Sequence, residues 1–183
     1  GQDERIGAQF LRSGAGWGGS CFGKDTAALI RAAADRGYDA TLLAEVVETN
    51  DRQPARMVEL LERHGDIGGS RIAVLGAAFK PETDDIRGTR ARPVIIELLE
   101  REATPILYDP TTAGEQLAAD MLIESADSAE QALTGADGAL VMTGWEEFET
   151  LDREFDRMSS PVIIDGRRVI KRREGIVYEG LTW

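Results

Sequence analysis

The sequence is short of thiols, imidazoles and lysines: it has one cysteine, Cys21, one histidine, His64, and three lysines, Lys24, Lys80 and Lys171, among 183 residues. A single cysteine excludes an internal disulfide and a cysteine-built metal cluster, so nothing calls for an oxidising compartment. No spacing of His, Asp and Glu resembles a metal site. A signal-peptide pattern is absent, and no apolar run reaches the ~18 residues that a membrane span needs, so the chain reads as soluble and cytoplasmic. It starts without an initiating Met, at Gly1-Gln2-Asp3, and reads as a portion of a longer protein.

Positive charge is also scarce. The formal net charge is −12, which argues against nucleic acid or an anionic membrane as a partner because both would be repelled at long range. A local arginine cluster remains able to hold a phosphate. Arginine makes up nearly all of the 21 basic residues, and an acidic, lysine-poor surface resembles adaptation to high salt, where screening shortens self-repulsion. The alternative is an ordinary acidic protein.

What is present divides into two grammars. Residues 1–20 end in a glycine-rich loop, GAGWGGS, unsuited to a helix interior. From Asp25 to His64 apolar residues recur at helical spacing, with a break at Gly37 and a Pro54 near a later helix start. Two or three helices in a row are expected, forming a dimer seam or a connector. Beyond Gly68-Gly69 short apolar strands alternate with helices: strands at 71–79, 104–110, 138–144 and 161–168, helices at 91–102, around 112–119, at 128–136 and at 146–158. This alternation implies βαβ crossovers and an α/β fold, a doubly wound, mainly parallel Rossmann-like sheet preceded by connector helices. The division expected is 1–67 for the loop and central helices and 68–183 for the sheet. Ligands of such sheets sit beyond the carboxyl ends of the strands, which points at FKPETDDIR, TGW and DGRR.

The first strand ends in GAAFKPETDDIRGT, where only one glycine stands in place of the three of a dinucleotide turn. Lys80 and Arg87 leave that strand end and can reach a phosphate with their own charges, or simply decorate a solvated loop. Cys21 is open to two readings. Free cysteine is usually buried and inert, yet Gly18-Gly19 before it, the helix N-terminus after it and Lys24 three residues on are features that favour a thiolate. Asp25 stands one turn away, placed to orient water or a second group. His64, near a helix end, reads as a cap favoured by the helix dipole.

Several stretches together resemble the UDP-glucose/GDP-mannose dehydrogenase family: RIGAQFLRSGAGWGGSCFGKD (5–25), GAAFKPETDDIRGTRA (76–91), YDP (108–110), TGW (143–145) and DGRR (165–168), in the family's order. The resemblance implies two successive NAD-dependent oxidations of a nucleotide sugar's C6 hydroxyl, UDP-glucose being the substrate expected, through a thiohemiacetal and a thioester on a cysteine. By that resemblance Cys21 is the nucleophile, Asp25 the carboxylate that assists water, and Lys24 part of the same loop near the nicotinamide. Arg5 corresponds to an arginine that crosses a dimer interface to the neighbouring sugar. Phe10, Leu11, Arg12, Ser13, Gly14, Gly16, Trp17 and Gly18 correspond to the loop around the sugar nucleotide. Phe79 and Lys80 correspond to a substrate-contacting pair, Arg87 to an arginine that touches NAD, and Arg167 to one near the diphosphate. Gly23 departs from a common Pro, and Thr89-Arg90 from a common Ser-Pro. The family's N-terminal NAD-binding domain is missing, so the chain alone is expected to be inactive. UDP-N-acetylmannosamine, UDP-N-acetylglucosamine or GDP-mannose are the alternative substrates, and a noncatalytic dimerisation or nucleotide-binding module is the alternative class.

Overall fold

The computed structural model describes residues 3–7, 11 and 13–181. Two helices come first, α1 (Phe22–Ala34) and α2 (Thr41–Glu62). The sheet unit follows as β1 (Arg71–Leu75), α3 (Ala91–Glu100), β2 (Thr104–Tyr108), α4 (Ala113–Met121), β3 (Glu124–Ser125), α5 (Ala129–Leu133), β4 (Gly138–Val141), α6 (Asp152–Phe155), β5 (Val162–Asp165) and β6 (Val177–Gly180). All strand pairs are parallel and the order is β3-β2-β1-β4-β5-β6. The chain runs outward from β1 to β3 and then returns to lay β4 on the other side of β1. The point where the order reverses is therefore the gap between β1 and β4, where open α/β sheets place their ligands.

Burial follows the two-residue period of a strand. Ile72 and Val74 join one core cluster with Met57, Val58 and Leu61 of α2, Val94, Ile95 and Leu98 of α3 and Leu117 of α4. Ala73 and Leu75 face the other side with Leu133, Phe148 and Phe155. Both faces are covered, which is why the strands read as unbroken apolar runs. The second half of α2 is thus part of the sheet's core. Its first half is not: Leu42 is 81% and Val46 46% exposed. No residue of α1 is buried, and that helix holds Phe22 and Leu29 out to solvent.

Four expectations change. The strands end two to four residues earlier than the apolar runs suggest, because the residues beyond them leave the sheet as loops. The helix expected over 146–158 is a 3-10 turn at Glu146–Thr150 followed by α6, with Leu151 leaving helical geometry between them. Pro54 lies inside α2 rather than near a start. His64 does not cap its helix: its Nε2 is 3.3 Å from Glu179 Oε1 on β6. Strands β3 and β6 were not expected at all. Among the described residues no helix is long and apolar enough to cross a membrane.

Candidate active site

The loop from Gly14 to Cys21 crosses the carboxyl ends of the central strands and is tied down by its backbone. Ala15, fully buried, donates its N–H to the Gly166 carbonyl at 2.9 Å, and the Gly19 N–H donates to the Arg87 carbonyl at 3.1 Å. Gly18 permits the closest approach: a Cβ there would lie 2.2 Å from the Gly88 carbonyl oxygen, closer than any side chain tolerates. The Trp17 and Phe22 rings pack with centroids 5.2 Å apart. Between them Cys21 opens α1 with its sulfur exposed, 3.7 Å from Ser20 Oγ. Lys24 and Asp25 occupy the first turn, Nζ 3.4 Å from Oδ1, both largely solvated.

The β1 end is organised from below. The Asp109 carboxylate, 6% exposed, accepts the N–H groups of Ala77 at 2.8 Å and Ala78 at 3.1 Å and the Trp145 indole N–H at 3.1 Å on one oxygen. Its other oxygen accepts the Thr111 N–H at 2.9 Å. Thr143 completes the clamp by donating its hydroxyl to the Ala78 carbonyl at 2.6 Å. Phe79 follows directly, with its ring against Gly19, where a Cβ would meet it at 3.0 Å. Lys80 is exposed, its ammonium 5.7 Å from the Phe79 ring centre. Arg87 forks onto Asp85 with Nε–Oδ1 2.9 Å and Nη2–Oδ2 2.8 Å. That guanidinium, and then its backbone N–H, pull the Asp85 carboxyl down to about 2. Arg87 is raised in return, by the same fork with Asp85.

At the β5 end, the fully buried Asp165 carboxylate collects the N–H groups of Arg167, Arg168, Val169 and Ile170, each at 2.8 Å. This coils the chain and turns Arg167 inward, where its Nε donates to the Met142 carbonyl at 2.6 Å. Burial, then the nearby charge of Arg90, hold Arg167 down at about 10, with Asp165 opposing them. A guanidinium shielded from water beside a second guanidinium is a cation that an incoming anion would relieve. A Cβ on Gly14 would come within 3.8 Å of Arg167 Nη1, so the loop lies against this charge.

The fold therefore lays the loop of Gly14, Gly16, Trp17, Gly18 and Cys21 against Phe79, the Arg87 turn and the Arg167 turn. Arg5 stands apart, 89% exposed and bound to Asp3 at 2.7 Å. Leu11 is exposed, as is Ser13 at the loop's start. Phe10 and Arg12 lie outside the described residues. Sequence reasoning missed Asn50, Asp109, Thr143 and Asp165 as individuals. For the last three the short motifs YDP, TGW and DGRR were the available signal; Asn50 had none beyond being a polar residue inside a helix. A cavity of about 630 Å³ lies at the ends of β1, β2 and β3, but Glu82, Asp84, Asp109, Glu115 and Asp127 line it, and that much negative charge is unsuited to a diphosphate.

The residues present do not make a dinucleotide site in this sheet. Gly76 turns the chain at φ 101° under Thr143, Ala78 and Pro81 stand where the second and third glycines of a dinucleotide turn would be, and the carboxylate at the β2 end is spent on N–H groups of the protein rather than free for a ribose.

An open, all-parallel sheet with helices on both faces and loops over the carboxyl ends of its central strands defines a doubly wound α/β module, a class that takes its ligands at that end. The comparisons narrow the class: residues 73–172 match the UDP binding domain of the UDP-glucose/GDP-mannose dehydrogenase family and residues 1–52 match its central domain, so the chain belongs to that family. A UDP-glucose 6-dehydrogenase of Haloferax volcanii is 52% identical over 182 residues, covering 100% of this chain and 42% of its own length. The solved UDP-glucose dehydrogenase from Pyrobaculum islandicum superposes with a TM-score of 0.89 at 38% identity, covering 100% of this chain and 41% of that one. A UDP-D-ManNAc dehydrogenase from Pyrococcus horikoshii gives 0.75 at 28%, covering 92% and 39%. The chain spans about two fifths of the length of these relatives.

Proposed function

We propose that this chain supplies the thiol and the sugar-nucleotide side of a dehydrogenase that converts UDP-glucose to UDP-glucuronate, residues 1–67 acting as active-site loop and connector and residues 68–183 as the UDP-sugar side. The observation that carries this reading is the exposed Cys21 on a loop hydrogen-bonded at Ala15 to the Arg167 turn and at Gly19 to the Arg87 turn. The thiolate adds to a C6 aldehyde, forming the S–C bond of a thiohemiacetal while the carbonyl oxygen takes a proton. After oxidation to the thioester, water attacks the carbonyl carbon, the S–C bond breaks, and the carboxylate departs as the sulfur recovers its negative charge or a proton. Asp25 is placed to orient that water. NAD, held by a dinucleotide-binding domain other than this sheet with Lys24 and Arg87 at its edge, would supply the hydride acceptor for both oxidations, hydroxyl to aldehyde and thiohemiacetal to thioester. Arg167 neutralises the diphosphate, and Phe79 and Lys80 contact the substrate. Arg5 and the loop residues Phe10, Leu11, Arg12, Ser13, Gly14, Gly16, Trp17 and Gly18 complete its surroundings.

A homodimer through the central helices fits the solvent-facing Phe22, Leu29, Leu42 and Val46, since such side chains at helical spacing are costly to leave wet. The test is twofold. Calorimetry should detect UDP-glucose binding to this chain, and the complete enzyme carrying Cys21→Ser should release no UDP-glucuronate. Absence of binding heat across a range of salt, together with undiminished acid production by the Cys21→Ser enzyme, would remove the reading. Parallel assays with UDP-N-acetylmannosamine, UDP-N-acetylglucosamine and GDP-mannose identify the sugar.

A further inference from the structure

Helix α2 contains a defect that the structure puts to use. Pro54 has no N–H, so the carbonyl of Asn50, four residues earlier, loses its partner within the helix. Arg90, with only 13% of its side chain exposed, reaches that carbonyl from the start of α3: its Nη2 donates to Asn50 O at 3.2 Å and to Asp51 Oδ1 at 3.2 Å. The backbone of Asn50 is thereby held from one side. Its side chain, on a residue 5% exposed, is committed on the other: Oδ1 accepts the Trp17 N–H at 2.8 Å and Nδ2 donates to the Trp17 carbonyl at 3.2 Å. One planar amide meets both backbone groups of a single loop residue, which a carboxylate, lacking a donor, and an aliphatic side chain, lacking both groups, do not do. Gly16 leaves room for the contact; a Cβ there would stand 2.6 Å from Asn50 Oδ1, at a φ of 97° that disfavours side chains anyway.

We propose that Asn50 is a positioning residue: held by Arg90 at the Pro54 break, its amide fixes the backbone of Trp17 and so sets where the next turn of the loop presents Cys21. Trp17 carries the constraint forward by packing on Phe22, the residue after the thiol. The catalytic consequence rests on reading Cys21 as the nucleophile; the placement of the sulfur does not.

Because Cys21 is the only thiol in the 183 residues, a trifluoromethyl reagent such as bromotrifluoroacetone labels it uniquely, and fluorine NMR of the full chain reports its surroundings. The unaltered chain should give one line displaced from that of the urea-unfolded chain. Asn50→Asp, which keeps the acceptor and loses the donor, should move the line part of the way toward the unfolded position. Asn50→Ala and Gly16→Ala, which attack the same contact from its two sides, should move it further and broaden it. A residue that only supports the fold would lower the melting temperature and leave the line of the folded chain in place. Lines at the unaltered position in the folded Asn50→Asp and Gly16→Ala proteins overturn the proposal even if Asn50→Ala does not fold. In the complete enzyme, kcat should fall roughly 10- to 100-fold, the scale of a misplaced reacting group, with the KM for NAD unchanged. A shifted line with full kcat would leave Asn50 as the loop's anchor and instead refute Cys21 as the nucleophile.

Discussion

Removing the carboxylate of Asp109 should both destabilise the fold and weaken the proposed sugar-nucleotide site, and the structure sets the scale. Asp109→Ala strands the N–H groups of Ala77 and Ala78, both buried, and the half-buried indole N–H of Trp145. An unsatisfied buried donor costs about 1–3 kcal/mol, and water entering the vacated space relieves part of this, which leaves about 3–5 kcal/mol. Against a total stability of about 5–15 kcal/mol that is a large share. At ~2–4 °C per kcal/mol for a chain of this size, the melting temperature should drop by roughly 10 °C. Asp109→Asn is gentler. Its remaining oxygen can serve Ala77 and Ala78, but its NH₂ then faces the Thr111 N–H, so about 1–2 kcal/mol should be lost with the charge-assisted character of the bonds. Urea and thermal unfolding followed by circular dichroism measure both, and UDP titration at a temperature where each variant is folded measures the site. An alanine variant within ~1 kcal/mol of the unaltered chain would show that these bonds are not a staple. A destabilised variant with undiminished UDP affinity would show that the staple does not position Phe79 and Lys80.

Two further outcomes follow from charge. UDP or pyrophosphate should raise the melting temperature of the unaltered chain and leave that of Arg167→Met unchanged, because the relieved guanidinium is gone; equal shifts in both would place the anion elsewhere. For Asp85, the folded value of about 2 lies below the ordinary 3.8, so the unfolded chain binds the extra proton and the fork with Arg87 contributes above pH 3.8. That contribution is lost as pH falls toward 2. Amide exchange at Phe79, whose N–H is bonded to the Asp85 carbonyl, should quicken through the same window, more so in high salt, and an Asp85 titration midpoint at the ordinary value would refute the fork.

Legibility in the sequence tracked burial on both faces. Strands β1, β2, β4 and β5 announced themselves because each has an apolar centre buried on both faces between helices. The two outer strands did not: β3 is Glu124-Ser125, and β6 is an edge strand whose Val177 is 44% exposed, so neither carries an apolar pattern. Pro54 misled because helix termini are judged from local chemistry, whereas Arg90, which makes an interior proline tolerable, arrives from 36 positions along the chain. The break at Leu151 leaves no trace in the apolar spacing of Phe148, Leu151, Phe155 and Met158, which suits a continuous helix equally well. In the site, Cys21, Lys24, Asp25 and the glycines were visible as a local motif, and Arg87 and Arg167 as motif cations.

The order of apolar and polar residues was enough to determine a parallel α/β sheet behind two or three helices, since periodicity and turn chemistry are properties of neighbours along the chain. It also marked the loops after β1, β4 and β5 as the segments from which the candidate site is built. Tertiary structure alone decided that Asp109 and Asp165 spend their charge on backbone N–H groups, that Arg167 is half-buried next to Arg90, and that the Asn50 amide bonds the backbone of Trp17. Each of these depends on which groups meet after folding, from 2 residues apart in sequence for Asp165 and Arg167 to 77 for Arg90 and Arg167, and on how little water remains where they do.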